Sequence, residues 1–185
     1  MGNIELKDEE VAHKIQQGSK DLFGLLVERY EAKMLRYARK FLFGYQDAED
    51  VVQEVFLKVY SNIQSFDPTR GFSAWIYRVA HNEFINTIRK KGREPLSFFD
   101  PDAIFPHPVA KENIEKDLDA QQVKESLNKS LDKIDPKYRE PLVLYYFEDL
   151  DYNTISEILH LPVSTVGVRL NRGKELLKKV IQGIN

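Results

Sequence analysis

The chain has 185 residues, a formal net charge of -2, 42% hydrophobic and 30% charged residues, and no cysteine. That composition suits one folded domain or two small ones, and it excludes a disulfide framework and a thiolate metal site. No stretch approaches the ~20 apolar residues that cross a bilayer, and the polar, acidic start from Met1 to Glu10 is unlike a signal peptide, so no membrane insertion and a cytoplasmic location are expected.

Apolar residues recur at helical spacing along most of the chain, and no β-type alternation lasts long enough for a strand. The first helix is short, about Asp8 to Gln16. The second runs from about Lys20 to Phe43, with Phe23, Leu26, Val27, Tyr30, Met34, Tyr37, Ala38 and Phe41 along one side. The third starts at Asp47, a candidate N-cap, and reaches about Asn62. Val51, Val52, Val55, Phe56 and Val59 form its buried side. Asp47, Asp50, Gln53, Glu54 and Lys58 stand on the other. Asp50 and Glu54 lie one turn apart, but no histidine or second acidic helix has a spacing that would complete a metal or acid/base site. No metal, cofactor or small-molecule substrate is therefore expected. The charged face is either solvated or a docking surface for a basic helix.

The fourth helix runs from Phe72 or Ser73 to about Lys91, stopped by Gly92. Arg78, Asn82 and Asn86 are spaced i, i+4, i+8 and form one polar stripe, with Trp75 a turn before Arg78. Asparagine is a poor helix former, so two in one stripe suggest that hydrogen bonding to a ligand offsets the cost. Amide and guanidinium groups suit base edges, and a nearby tryptophan suits stacking on unpaired bases. Arg89, Lys90, Lys91 and Arg93 close the helix with positive charge. His81 has no evident partner and is read as non-catalytic.

Four of the eight prolines fall between Pro95 and Pro108, in a stretch from Gly92 to Lys116 without helical period. The expected fold is all-α: two small helical domains, 1–93 and 121–185, joined by an extended linker, 94–120. The C-terminal half should hold helices near 117–133, 136–147, 152–159 and 164–182. Pro136 after Asp135 marks a helix start, and Pro141 is out of place in the same helix.

The segment from Asp151 to Val166 reads as a helix-turn-helix. Asp151 can cap a short helix whose apolar face is Ile155, Ile158 and Leu159. Leu161-Pro162 breaks it, and Ser164 or Thr165 can cap the next. On the last helix Val166, Leu170, Gly173, Leu177 and Val180 share one side, where Gly173 permits close packing. Ser164, Val168, Asn171, Arg172 and Glu175 take the other. A recognition helix needs an apolar back and polar or basic groups toward base edges and phosphates. Arg169, Lys174, Lys178 and Lys179 flank it as phosphate contacts. An ordinary solvated helix hairpin has the same local pattern.

Four motifs now stand in order: DAEDVVQEVFLKVY from Asp47, FSAWIYRVAHNEFINTIRKKGR from Phe72, YREPLVLYYFEDLDYNTISEILHLPVSTV from Tyr138, and a basic last helix. This series resembles the extracytoplasmic-function sigma factors of bacteria, the minimal members of the sigma-70 family. The resemblance implies an N-terminal sigma region 2 that binds the clamp helices of core RNA polymerase through Asp47, Asp50, Gln53, Glu54 and Lys58. The same region would melt and read the upstream-ten promoter element as single-stranded DNA. Trp75, Tyr77, Arg78, Asn82, Asn86, Arg89, Lys90 and Lys91, with the loop Ser65–Gly71, would do so. A C-terminal sigma region 4 would bind the polymerase flap and read the upstream-thirty-five element as duplex, through Ser164, Thr165, Val168, Arg169, Asn171, Arg172 and Lys174. An anti-sigma factor is the further partner implied. The family usually carries a basic or polar pair where this chain has Gly167-Val168. A free-standing helix-turn-helix regulator and a protein-binding helical adaptor remain the alternatives.

Overall fold

The computed structural model describes residues 6–42, 48–90 and 130–183. Among them every regular element is helical. The N-terminal half comprises α1 (Asp8–Gln16), α2 (Phe23–Phe41), α3 (Ala48–Asn62) and α4 (Phe72–Lys90). The C-terminal half comprises α5 (Pro136–Tyr146), α6 (Tyr152–Leu159) and α7 (Val163–Gln182). Single 3-10 turns, Lys20–Leu22 and Ile63–Ser65, precede α2 and follow α3. The expected all-α architecture is found. The expected Asp47 cap, the linker and nearly all of the helix expected near 117–133 lie outside the described residues.

The helices form where apolar residues repeat at 3.6-residue spacing. On α2, Leu26, Tyr30, Met34, Tyr37, Ala38 and Phe41 are buried; on α3, Val52, Val55, Phe56 and Val59 are. These stripes pack α2 on α3 and α3 on α4. Two devices fix where α4 begins. The Phe72 amide donates to Glu9 Oε1 at 2.9 Å, so α1 supplies the cap of a helix far along the chain. Gln16 Nε2 donates to the Ile63 and Phe66 carbonyls at 2.7 and 2.8 Å, pinning the loop before α4.

In the C-terminal half Asp135 Oδ1 accepts from the Lys137 amide at 2.9 Å, capping α5 behind Pro136. Pro141 is buried in the second turn, and α5 runs on through it. Asp151 Oδ1 accepts from the Thr154 amide at 2.8 Å and caps α6. His160, at φ 54°, ends α6 in the left-handed conformation. The next cap differs from expectation. The N-cap of α7 is Pro162 with no side-chain bond, and Ser164 and Thr165 fall inside the first turn. The 162 position wins because proline cannot donate from its nitrogen and its fixed φ suits a helix entrance. Val166, Leu170 and Gly173 face α5 and α6 as expected.

The two halves touch. α6 packs on α4 and α5 on α2.

Candidate nucleic-acid interface

The loop Phe66–Gly71 and the exposed flank of α4 border two adjoining cavities. One, about 230 Å³, is lined by Ser65, Phe66, Asp67, Arg70, Gly71, Ala74, Trp75 and Arg78, with Glu157 of α6 at its edge. The other, about 280 Å³, is lined by Lys58, Asn62, Ser65, Trp75, Arg78, Val79, Asn82 and Glu83. The loop holds its shape through Asp67, whose Oδ1 accepts from the Thr69 amide at 3.0 Å and its hydroxyl at 2.7 Å. Those bonds, with Arg70 nearby, hold the Asp67 carboxyl below its ordinary value, so it stays ionised. Arg70, Arg78, Lys58, the amides of Asn62 and Asn82 and one indole edge thus meet around these spaces, together with the carboxylates of Asp67, Glu83 and Glu157.

The expected stripe is present in part. Asn82 is exposed, Arg78 and Asn86 are half-buried, and Arg78 and Asn82 both open on a cavity. Arg89 and Lys90 are exposed at the end of α4; Lys91 lies outside the described residues.

Trp75 and Tyr77 are corrections. Trp75 is 8% exposed and packs on Phe66 and Phe72, centroids 5.3 and 5.6 Å away. It is a core ring whose edge reaches the cavities, without an open face for stacking. Tyr77 is 2% exposed and its hydroxyl donates to Glu148 Oε2 at 2.7 Å. Burial, then the charge and hydrogen bond of Glu148, raises the phenol above its ordinary value and keeps it a donor. Tyr77 faces the C-terminal half and not DNA. Local spacing could not reveal this, because its partner is 71 residues away.

On α3, Asp50, Gln53 and Glu54 are exposed as expected. Lys58 leaves that face: its ammonium pairs with the buried carboxylate of Glu83 and borders the second cavity. Leu57, 62% exposed on the charged face, was missed by the sequence reading. An apolar side chain one turn after Gln53 was the available signal.

On α7, Ser164 and Arg172 are exposed, and Arg169, Asn171 and Lys174 are half-buried. Thr165 and Val168 are corrections, at 2% and 4% exposure. Thr165, Val166, Gly167 and Val168 are buried in succession. Four consecutive residues cover a full helical turn, so the turn Thr165–Val168 is enclosed all round, while Ser164 just before it stays exposed.

His81 acquires a partner. Its Nδ1 lies 2.7 Å from Glu140 Oε1, which also accepts from the Tyr37 hydroxyl. Burial alone would lower the imidazole. The charge and hydrogen bond of Glu140 outweigh it, against Arg169 and Arg89, and His81 sits above its ordinary value.

A helix-turn-helix coupled to a helical half with an arginine- and amide-lined cleft is an arrangement suited to a DNA-binding transcription protein. The Sigma-70 region 2 family matches residues 26–94 and the Sigma-70, region 4 family residues 124–177. The ECF RNA polymerase sigma factor SigW of Bacillus subtilis (strain 168) is 33% identical over 179 residues, covering 92% of this chain and 95% of that protein. The RNA polymerase sigma-H factor of Pseudomonas aeruginosa is 30% identical over 186 residues, covering 95% and 94%. The fold matches CnrH, solved in complex with the cytosolic domain of CnrY, with TM-score 0.71 at 24% identity over 96% of this chain and 99% of that one. It also matches the sigma factor RpoE of Bartonella quintana, solved with the anti-sigma factor NepR, with TM-score 0.66 at 24% identity over 86% and 96%. The chain belongs to the extracytoplasmic-function sigma factors of the sigma-70 family.

Proposed function

We propose that this chain binds core RNA polymerase and directs promoter-specific transcription initiation, serving envelope or environmental stress. The observation that carries the reading is one chain joining a cation- and amide-lined cleft on α4 to a helix-turn-helix, along a length shared almost end to end with sigma factors of known name. Residues 1–93 act as the polymerase-binding and upstream-ten domain, 94–120 as linker and 121–185 as the upstream-thirty-five domain. Asp47, Asp50, Gln53 and Glu54 dock on the clamp helices, with Leu57 as the apolar anchor among them. Arg70, Arg78, Asn82, Asn86, Arg89, Lys90 and Lys91 hold the melted strand, and the edge of Trp75 closes the base cavity. Ser164, Arg169, Asn171, Arg172 and Lys174 read or clamp duplex DNA. The chain acts by binding, not by covalent catalysis, in the cytoplasm. An anti-sigma factor is the expected inhibitor. Among the described residues no helix is long and apolar enough to cross a membrane.

The weak net charge fits this division of labour. Contacts to polymerase and to two DNA elements add through tethering, so no single DNA contact needs to be strong. The test is run-off transcription with purified core polymerase on a pool of bacterial promoter fragments. Discrete start sites that require the chain are expected. Tight duplex binding without new transcripts would instead identify a free-standing regulator.

A further inference from the structure

None of the residues that line the two cavities belongs to α1, yet α1 holds both ends of the loop that lines the first. Gln16 Nε2 commits both of its hydrogens to the chain entering the loop, one to the Ile63 carbonyl at 2.7 Å and one to the Phe66 carbonyl at 2.8 Å. Gln64 Nε2 returns a bond to the Gln16 carbonyl at 3.2 Å. At the far end Glu9 Oε1 accepts from the Phe72 amide at 2.9 Å. Phe66 and Gly71, at or beside these anchors, both line the first cavity. Positions 9 and 16 are two helical turns apart, so both side chains leave one face of α1 with origins about 10.5 Å apart along its axis. The helix is itself firmly seated. Val11, Ala12 and Ile15 are buried, and Asp8 accepts from Arg29 Nη1 at 2.6 Å and from the Tyr30 hydroxyl at 2.7 Å. Between the anchors Asp67, Thr69, Arg70 and Gly71 are exposed, so core packing does little to place them.

We propose that Glu9 and Gln16 are positioning residues for base selection: they hold the loop Phe66–Gly71 in the shape that discriminates between bases of the melted strand, without touching DNA themselves. The proposal rests on the reading of that loop and its cavities as the DNA site. A loop with released ends would sample several shapes, and each base would be received by whichever shape suited it. The loss then falls on discrimination more than on binding.

Exchanges of glutamine and glutamate separate positioning from bulk. Gln16→Glu keeps the shape but sets acceptors against two carbonyls. Glu9→Gln keeps an acceptor for the Phe72 amide, and Glu9→Ala removes it. Holoenzyme reconstituted with each variant is run on the promoter recovered by run-off transcription, randomised across its upstream-ten element and carrying a transcribed barcode that is sequenced. Gln16→Glu and Glu9→Ala should lower base preference at one or more positions of that element by roughly fivefold, the fold-change of about one lost hydrogen bond. Glu9→Gln should keep the preference, and preference in the upstream-thirty-five element should not move in any variant. A purely structural role would lower total yield and leave every preference intact, and that result overturns the proposal. Trp75 is the only tryptophan of the chain and packs on Phe66, so its fluorescence reports the loop directly. Gln16→Glu and Glu9→Ala should shift its emission to longer wavelength and raise its quenching by acrylamide, with unchanged helical circular dichroism. Unchanged emission and quenching in both would overturn the anchoring. If the unmutated chain yields no transcripts, the sigma-factor reading falls; raised quenching then still upholds α1 as the clamp of the loop, and unchanged quenching removes that as well.

Discussion

At Gly173 two rules of helix chemistry oppose each other. Alanine is the better helix former by about 1 kcal/mol. A Cβ at Gly173, however, would lie 2.9 Å from Leu142 Cγ and Cδ1 and 3.0 Å from the Tyr138 carbonyl oxygen. Leu142 is itself 1% exposed and the carbonyl is backbone, so neither yields easily. Overpacking of this kind costs about 1–3 kcal/mol, and the overlap should win. Gly173→Ala is expected to lower the urea midpoint of unfolding with unchanged slope; a higher midpoint would mean that α5 and α7 stand further apart. Arg78 and Asn82 carry a second expectation. They open on the cavity without belonging to the core. Replacing either with alanine should slow promoter opening by about tenfold or more, since a hydrogen bond to a charged group is worth about 1.5–3 kcal/mol, while affinity for core polymerase stays near the unmutated value. Permanganate reactivity of the melted strand against polymerase pull-down separates the two effects. Equal opening rates would remove the stripe from the DNA site.

Helix boundaries were the most legible feature, because caps and periodicity are local. The expected first helix coincides with α1, and the expected bounds of α6 coincide with Tyr152–Leu159. Asp151 was readable as a cap because its partner is three residues away. Its alanine variant should cost about 1 kcal/mol, measured by thermal melting at neutral pH. The Thr154 amide holds the Asp151 carboxyl below its ordinary 3.8. A group lowered on folding stabilises above its unfolded value and loses that contribution as pH falls through the folded one, so the difference between variant and parent should shrink below about pH 4. What sequence could not supply was the identity of tertiary neighbours. Glu148 and Arg36 are 112 residues apart. Nothing local to the run Arg139–Asp149 marks Glu148 as buried; only packing shows it. Tyr77 and Val168 were misplaced for the same reason: helical spacing predicts which residues share a face, but not which second element covers that face. The start of α7 is enclosed by more than one stripe of contacts, and a single amphipathic moment has no way to express that.

On the scale of the molecule, the geometry of promoter DNA sets the constraint. Elements ten and thirty-five base pairs upstream are separated by about 25 steps of ~3.4 Å, on the order of 80 Å of straight duplex. The proposed linker, residues 94–120, reaches at most on the order of 90 Å when extended. On the proposed division of the chain, reaching both elements on straight duplex would require α5 to leave α2 and α6 to leave α4. The strength of that contact then sets how readily the free chain opens. Glu148 is the most enclosed charge in it and accepts three hydrogen bonds across it, two from Arg36 and one from Tyr77, with the Arg36 end screened by its 44% exposure. His81 makes it depend on pH. Glu140, Arg169 and Arg89 act on His81, with the Tyr37 hydroxyl on the same Glu140 oxygen, and the net effect raises the imidazole above 6.5. A group raised by closure contributes fully below its open-state value and loses that contribution as pH rises through the closed-state one. The closed form should therefore be firmest in mildly acidic solution and loosen from about pH 6.5 upward. Measured by spin labels at Glu31→Cys on α2 and Lys178→Cys on α7, both exposed in a chain without native cysteine, the open fraction should grow across that range, and His81→Gln should flatten the dependence. An open fraction that instead fell with rising pH would show that closure favours the neutral imidazole at His81, and a flat profile would show that the pair has no part in the response to pH.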